Sequence, residues 1–386
     1  MIKLVEKELT ILSKWILRRF RPFIIGITGS SGKTTTKYFI GELVKASTDS
    51  VLISPGNLNT KVGIPLTILG YKNSPKTKLE WLPIILFAPI KAFFTFRFEK
   101  FLILEYGVDR PGDMHELIKI ATPDIALISS IGEAHIEIFK SKKNIIKEKW
   151  DLALSAKDAV IANRQTLEQV KDIELEKVKA NLFILPGMKL AKAENVQTHT
   201  NKTEFDLYIA NKKYETSFNF FGSHNIDNLE LAAFCAHLAT GDDKKIVGKI
   251  SKLSPLAGRG RRYFSKKNIL VIDESYNANP ASMKAALDNL KKINYGRRVT
   301  VLGGMAEIGP ISHEAHAEIV KYAKDVSDYT IGVGQSFSGF TLDRWYKDVS
   351  ELVQEADSIF EEGDVVLVKG SRLNKLEKLI NYLEEK

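Results

Sequence analysis

The stretch that most constrains this chain is Phe23-Ile-Ile-Gly-Ile-Thr-Gly-Ser-Ser-Gly-Lys-Thr34. Its apolar start reads as a buried strand. The glycine-bearing turn from Thr28 to Lys33 then opens a helix that runs through Tyr38-Phe39-Ile40. A strand feeding a tight turn and a helix demands an α/β sheet. It also leaves the first backbone N–H groups of the helix free to cradle phosphate oxygens. In that setting Gly29, Ser30, Ser31, Gly32, Lys33, Thr34 and Thr35 form a nucleotide site, with the lysine on the terminal phosphates and the Thr34 hydroxyl toward Mg²⁺. Strict Walker spacing would put glycine where Ile27 stands. A chance glycine turn is the competing reading, and Gly-Lys-Thr-Thr-Thr at a strand-to-helix junction argues against it.

The runs Val51–Ile53, Phe101–Leu104, Ile125–Ile128 and Ala159–Ile161 alternate with helical stretches, the pattern of a mainly parallel sheet covered by helices. A second series begins after Pro255, with Ile269–Ile272, Arg298–Leu302, Tyr329–Val333 and Val365–Val368 as buried strands. The expected organisation is a basic amphipathic helix over 1–22, a central ATP-binding α/β domain over 23–255 and a smaller α/β domain over 256–386. Between the two series, Lys202 to Asn219 alternates polar and apolar residues and reads as an antiparallel hairpin.

At 386 residues, 44% of them hydrophobic, the chain is long enough for two or three cores. Its single cysteine, Cys235, lies in an apolar run and reads as a small buried hydrophobe. The start lacks the features of a secretory leader, so a cytoplasmic location is expected. A formal charge of +9 suits nucleotides, phosphorylated substrates or an acidic membrane surface. Zinc-finger spacing, aromatic RNA-binding signatures and long basic runs are absent, so nucleic acid is not expected as a partner. Ile2, Val5, Leu9, Leu12, Ile16 and Phe20 fall at helical spacing among Lys3, Lys7, Lys14, Arg18 and Arg19. Such a helix packs on its own domain or, less commonly, rests on a membrane surface at the inner face. The apolar segment Trp81 to Phe98 is broken by Pro83, Pro89, Lys91 and Arg97 and is too short to span a bilayer. It reads as a helix or lid packed on the sheet, or as a shallow interfacial insertion.

Phosphate chemistry needs hard oxygen donors for Mg²⁺ from a direction other than the loop. Glu105 fits, because a carboxylate at the end of a buried strand has little other reason to be there. His135, after the strand around Leu127, would sit on the same rim; a lone histidine is as readily structural.

Taken together, several motifs in one order resemble those of the Mur ligase family. They are Gly26-Ile-Thr-Gly-Ser-Ser-Gly-Lys-Thr-Thr-Thr-Lys37, Asn57-Leu-Asn-Thr-Lys-Val-Gly-Ile-Pro65, Leu104-Glu-Tyr-Gly-Val-Asp-Arg-Pro-Gly-Asp113 and Ala134-His-Ile-Glu137. Further along come Gly222-Ser-His-Asn-Ile-Asp-Asn228, Gly258-Arg259, Asp273-Glu-Ser-Tyr-Asn-Ala-Asn-Pro280 and Val301-Leu-Gly-Gly-Met-Ala-Glu-Ile-Gly309. The last two resemble the type that adds D-alanyl-D-alanine to a cell-wall precursor peptide.

The resemblance implies an ATP-dependent amide ligase with a central ATPase domain and a Rossmann-like C-terminal domain, and a monomer is expected. Its substrate carboxylate would attack the γ-phosphate of ATP, and an amine would open the resulting acyl phosphate. Carried onto this chain, Lys33 would hold the β- and γ-phosphates, Thr34 and Glu105 one Mg²⁺, and His135 a second. Lys149 matches the lysine the family carbamylates with CO₂; by sequence alone it reads as a surface lysine. Asn228 resembles the adenine-contacting residue, Arg259 the arginine for the γ-phosphate and Glu274 the acid near the ribose. Tyr276, Asn277 and Asn279 would also belong to the nucleotide side, while His224 shapes its turn. Lys369-Gly-Ser-Arg372 resembles the segment lining the amine side, with a capping serine and solvated charges as the plainer reading.

The pattern also departs from the family. Ligases of this type usually begin with a domain of about eighty residues for the UDP-sugar end of the acceptor, an ordinary domain size. Here only the basic helix precedes the loop, which suggests a lipid-linked or shortened acceptor. Asn59-Thr60, Asp273-Glu274 and Gly303-Gly304-Met305 stand for Asn-Asn, Asp-Asp and Gly-Asp-Met, and Gly304 removes a carboxylate. The rival readings are a related ligase with another acceptor or amino acid, and an ATP-binding regulatory protein without turnover.

Overall fold

The fold is described from a computed structural model, which covers residues 2–56, 58–132, 136–170, 175–186, 190–306, 308–309 and 312–385. The chain opens with α1 (Ile2–Phe20), β1 (Phe23–Thr28), α2 (Lys33–Lys45), β2 (Val51–Ile53), α3 (Gly63–Ile68), α4 (Lys78–Phe94) and β3 (Phe101–Glu105). It continues through α5 (Asp113–Ile120), β4 (Ile125–Ile128), α6 (Ile136–Phe139), α7 (Lys142–Ser155), β5 (Ala159–Asn163), α8 (Arg164–Val170) and β6 (Asn181–Leu185). Three strands follow, β7 (Ala191–Thr198), β8 (Thr203–Ile209) and β9 (Lys212–Phe218), then α9 (Ser223–Thr240) and α10 (Asp243–Ile250). The last part comprises β10 (Arg261–Phe264), β11 (Leu270–Glu274), α11 (Pro280–Lys291), β12 (Arg298–Gly303), α12 (Ser312–Val326), β13 (Tyr329–Val333), β14 (Arg344–Tyr346), α13 (Val349–Ile359), β15 (Val365–Lys369) and α14 (Glu377–Glu385).

These elements form two compact units. The first comprises Met1–Lys192, Leu207–Tyr214 and Asn228–Lys249; the second comprises Ala193–Asp206, Glu215–Asp227 and Ile250–Lys386.

In the first unit a six-stranded sheet has the order β2-β3-β1-β4-β5-β6, with every neighbouring pair parallel. Its strands read as unbroken apolar runs because helices cover both faces. From β1 the chain turns outward to one side for β2 and β3 and to the other for β4. The strand order therefore reverses at the carboxyl end of β1, the crevice where open α/β sheets hold ligands. Registers Ile27↔Glu105 and Thr28↔Ile128 bring the ends of β3 and β4 level with the glycine turn.

α1 turns Val5, Leu9 and Ile16 into this unit's core, and buried Ser13 donates to the Pro65 carbonyl at 3.4 Å. It ends where Arg21 takes a positive φ of 46° and returns its N–H to Leu17 O, followed by Pro22, which cannot continue a helix. α4 differs from a helix packed snugly on the sheet. Only Ile84, Ala88 and Ala92 are buried, and most of its large side chains face solvent. Among the described residues no helix is long and apolar enough to cross a membrane. Cys235 is buried, and burial pushes its thiol up.

The second unit holds a sheet of order β10-β11-β15-β12-β13-β14, parallel except for β10 against β11. Alternate residues serve opposite faces: Leu270, Ile272, Val365 and Leu367 join one cluster, while Val271, Val366 and Val368 join the other. Helix starts are capped by short polar side chains. Asn279 Oδ1 accepts from Ser282 N at 2.9 Å ahead of Pro280, and Asp348 Oδ1 accepts from Ser350 N at 2.7 Å. The remaining sheet, β7-β8-β9, includes the stretch read as a hairpin, with β8 and β9 joined through Ala210 and Asn211, both at positive φ.

Leu367 is fully buried in a strand with parallel neighbours on both sides. Leu367→Ala is expected to cost about 2–5 kcal/mol of stability, read as a lowered urea midpoint with an unchanged slope.

Candidate active site

The turn after β1 is fixed by its glycines and by a second turn after β4. Gly29 has φ +154° and Gly32 has φ +80°, and a Cβ at either would collide: at Gly29 with Ser129 Oγ at 2.1 Å, at Gly32 with Asn228 Oδ1 at 2.5 Å. Ser30 N donates to the Ser130 carbonyl at 2.7 Å, and Ser31 N donates to Ser130 Oγ at 3.1 Å. The Ser31 carbonyl accepts from Ser129 Oγ at 2.6 Å and from Ser130 Oγ at 3.0 Å. Ser30 Oγ also bonds both polar groups of the Gly132 backbone. The loop is thus pre-shaped, with the N-terminus of α2 presented as an anion site. Asn228, early in α9, accepts from Thr36 Oγ1 at 3.2 Å, and Thr35 is buried in the first turn of α2.

At the end of β3, Glu105 is buried within a ring of donors. Thr34 Oγ1 reaches its Oε2 at 3.1 Å, Asn59 Nδ2 its Oε1 at 3.1 Å, and Lys37 Nζ its Oε2 at 3.1 Å. Lys37 also donates to the Gly56 carbonyl at 3.0 Å. Burial pushes the Glu105 carboxyl up. The ammonium charges of Lys37 and Lys33, with hydrogen bonds from Lys37 and Asn59, outweigh this and hold it below the ordinary carboxylate range. The group is an anion with both oxygens engaged, and a carboxylate is one of the hard-oxygen donors Mg²⁺ takes.

Lys33 and Lys149 both point at one atom. Their Nζ groups donate to the Gly29 carbonyl at 2.8 Å and 3.0 Å. Lys149 lies on α7 and is buried, not the surface lysine that sequence alone suggests. Burial, then repulsion from Lys33, pulls its ammonium down to about 7, against the pull of Glu148 and Asp109. Glu148, beside it, accepts from Gly112 N at 2.9 Å and Met114 N at 2.7 Å, satisfying the start of α5. Two amines crowded on one carbonyl fit an anionic oligophosphate better than they fit each other. Thr34 and Glu105 together supply a hydroxyl and a carboxylate, the donor types Mg²⁺ takes. Among the described residues no three His, Cys, Asp or Glu side chains cluster as a metal cage. His135 lies outside the described residues.

A second group of expected residues gathers within the second unit. Glu274, at the end of β11, pairs with Lys369 at the end of β15 at 3.2 Å and faces His224 Nε2 at 3.4 Å. Burial pushes the Glu274 carboxyl up, but Lys369 and His224 prevail and hold it at about 2. Lys369 also donates to the Asn277 carbonyl at 3.1 Å, so it is buried and paired, not a solvated charge. The Arg259 guanidinium lies 3.9 Å from the centroid of the Tyr276 ring, with Arg372 at 5.8 Å over the same ring. Asn277 Oδ1 accepts from Ala278 N, and Asn279 is engaged in capping α11. At Gly304, Asn374 bonds both the N–H (3.1 Å) and the carbonyl (3.0 Å) of the backbone. A Cβ there would meet Ser336 Oγ at 2.7 Å.

Sequence reasoning gave no role to Lys37, Asn59, Ser129 or Ser130. Lys37 had a signal, since it stands one helical turn beyond Lys33 and so on the same face of α2. The serines had none, because their partners are about a hundred residues away.

The Mur ligase middle-domain model matches residues 27–79 and 89–236, and the model described as Mur ligase, glutamate ligase domain matches 258–372. The UDP-N-acetylmuramoyl-tripeptide--D-alanyl-D-alanine ligase of Rickettsia prowazekii is 27% identical over 379 residues, covering 93% of this chain and 78% of that protein. A crystal structure of MurF from Acinetobacter baumannii superposes with a TM-score of 0.80 at 25% identity, covering 99% of this chain and 81% of that one. The fold is likewise shared with the MurF ligase from Thermotoga maritima in complex with ADP, at a TM-score of 0.81 and 24% identity over 98% of this chain and 83% of that one. With the middle-domain model alone matching more than half of the 386 residues around the site just described, the chain belongs to the Mur ligase family.

Proposed function

We propose that the chain is an ATP-dependent, ADP-forming ligase that joins D-alanyl-D-alanine to the peptide of a cell-wall precursor, working in the cytoplasm where ATP is available. The observation that carries this reading is the convergence of Lys33 and Lys149 on the Gly29 carbonyl beside the Thr34–Glu105 pair. A phosphate loop with a buried carboxylate anion beside it supplies the phosphate cradle and metal-side charge that phosphoryl transfer uses, whereas a nucleotide-binding regulatory protein needs only the loop.

In this reading Gly29 to Thr35 hold the ATP phosphates through backbone N–H groups, and the Lys33 ammonium takes the charge of the terminal pair. The acceptor's peptide carboxylate attacks the γ-phosphorus, releasing ADP and leaving an acyl phosphate. The amine of D-alanyl-D-alanine then adds to the acyl carbon, and the tetrahedral intermediate expels inorganic phosphate and a proton to leave the amide. Mg²⁺, held by Thr34 and Glu105 with a second ion at His135, would neutralise phosphate charge when bound. Lys149 would serve as its carbamate, since a lysine held near neutrality offers the free amine that attacks the carbon of CO₂ and then loses a proton, and the product is an anionic oxygen donor. Asn228, Glu274, Tyr276 and Asn277 are assigned to the nucleoside end and Arg259 to the transferring phosphoryl group. A single copy of the chain suffices for these roles. The UDP-sugar end of the acceptor is left unassigned.

Three outcomes are expected. With ATP, Mg²⁺ and bicarbonate, phosphate release should require both D-alanyl-D-alanine and UDP-N-acetylmuramoyl tripeptide, with the matching amide seen by mass spectrometry. Lys33→Ala should lower the rate by roughly a hundredfold or more. ATP binding without product would move the search to another acceptor or to a regulatory role.

With ¹³C-bicarbonate, a carbamate carbon resonance should appear and be lost in Lys149→Arg. Because the amine is protonated below about pH 7 and free above it, the signal should grow as pH rises from 6 to 8. A signal unchanged by the substitution would remove the carbamate from this reading.

Arg259→Ala should reduce kcat by about a hundredfold while leaving the dissociation constant of ATP within a few-fold. Equal loss in both would make it a binding residue only.

A further inference from the structure

α4 has two unlike faces. Ile84, Ala88 and Ala92, spaced four apart, enter the core of the first unit. Opposite them Leu82, Leu86, Phe87, Ile90, Phe93 and Phe94 recur every three or four residues, all exposed. Leu79 is 81% exposed ahead of them and Phe96 76% exposed beyond them. Eight of the fourteen large hydrophobic side chains exposed among the described residues therefore fall within 79–96, so the apolar surface is concentrated rather than scattered. A contiguous apolar surface of this kind marks a binding face.

Its surroundings are basic. Between residues 72 and 100, Lys72, Lys76, Lys78, Lys91, Arg97 and Lys100 are exposed, against only Glu80 and Glu99 of opposite sign. The end of α1 adds Arg18, Arg19 and Arg21, all exposed. Arg19 Nη1 donates to the Phe93 carbonyl at 3.5 Å, and the Trp15 ring lies 5.1 Å from that of Phe93. An apolar stripe, a cationic rim and an indole at the boundary match an anionic bilayer interface. A second copy of this chain would instead set cationic rim against cationic rim. The Mur ligase middle-domain pattern also stops at residue 79 and resumes at 89, so the centre of α4 lies outside what the family shares.

We propose that the exposed face of α4, with the basic end of α1, docks on a membrane leaflet rich in anionic lipid. The Leu and Phe side chains enter the headgroup–acyl boundary, and the Lys and Arg side chains meet lipid phosphates. Among the described residues no helix is long and apolar enough to cross a bilayer. The docking is independent of the reaction proposed above, because α4 carries none of that site's residues.

Vesicle flotation of the full chain tests this. The chain should float with vesicles rich in phosphatidylglycerol, float less with phosphatidylcholine alone, and detach as salt screens the charges. The double substitution Phe87→Ser with Phe94→Ser, at exposed positions, should lower partitioning about tenfold while ATP binding, measured by calorimetry, is retained. Absence from the floating fraction with anionic vesicles would overturn the proposal, as would a double variant that floats like the parent. A chain that sediments as a dimer, fails to float and becomes monomeric on the same substitutions would overturn it too, assigning the face to a second copy.

Discussion

The carboxylate of Glu105 is the constraint around which the first unit's chemistry is organised. A buried anion is tolerated only if cations and hydrogen-bond donors replace its lost water. Here Lys37, Asn59 and Thr34 do so from two segments: the first turns of α2, which carry Thr34 and Lys37, and the loop before α3, which carries Asn59. Each donor therefore has its position set by a demand of β3. The Thr34 hydroxyl in particular is turned toward the carboxylate, at 3.1 Å.

A similar economy governs the second unit. Glu274 and Lys369 end two neighbouring parallel strands in register, so the sheet itself brings the charges together. His224 completes the arrangement from α9. The parallel alternation that splits the strand residues between two apolar clusters also determines that the last residues of β11 and β15 emerge side by side at one edge.

Much of this was legible in the linear chain, for physical reasons that differ by element. Strands with covered faces are nearly pure apolar runs, so β1, β3, β4, β12 and β15 could be read directly. Glu105 was visible because it contradicts the run it ends. Lys149 was not visible. It shares α7 with Lys142, Lys143 and Lys147, and only the depth to which one face of that helix packs separates the one buried lysine from three exposed ones. Ser129 and Ser130 were hidden for a related reason, since their importance lies in backbone groups a hundred residues earlier. The two sides of α4 were not separable in sequence: apolar composition left packing on the sheet and shallow interfacial insertion both open, and the helix buries one face while keeping most of its large side chains outside.

The placement of α4 bears on how such a chain can diversify. It lies wholly within the connection from β2 to β3, and β2 is the edge strand of its sheet. Lengthening or recolouring that crossover changes no register at β1 or β4, where the phosphate turn is set. The outer face of this helix is thus free to vary in polarity at a different pace from the phosphate turn, while Ile84, Ala88 and Ala92 tie its inner face to the core.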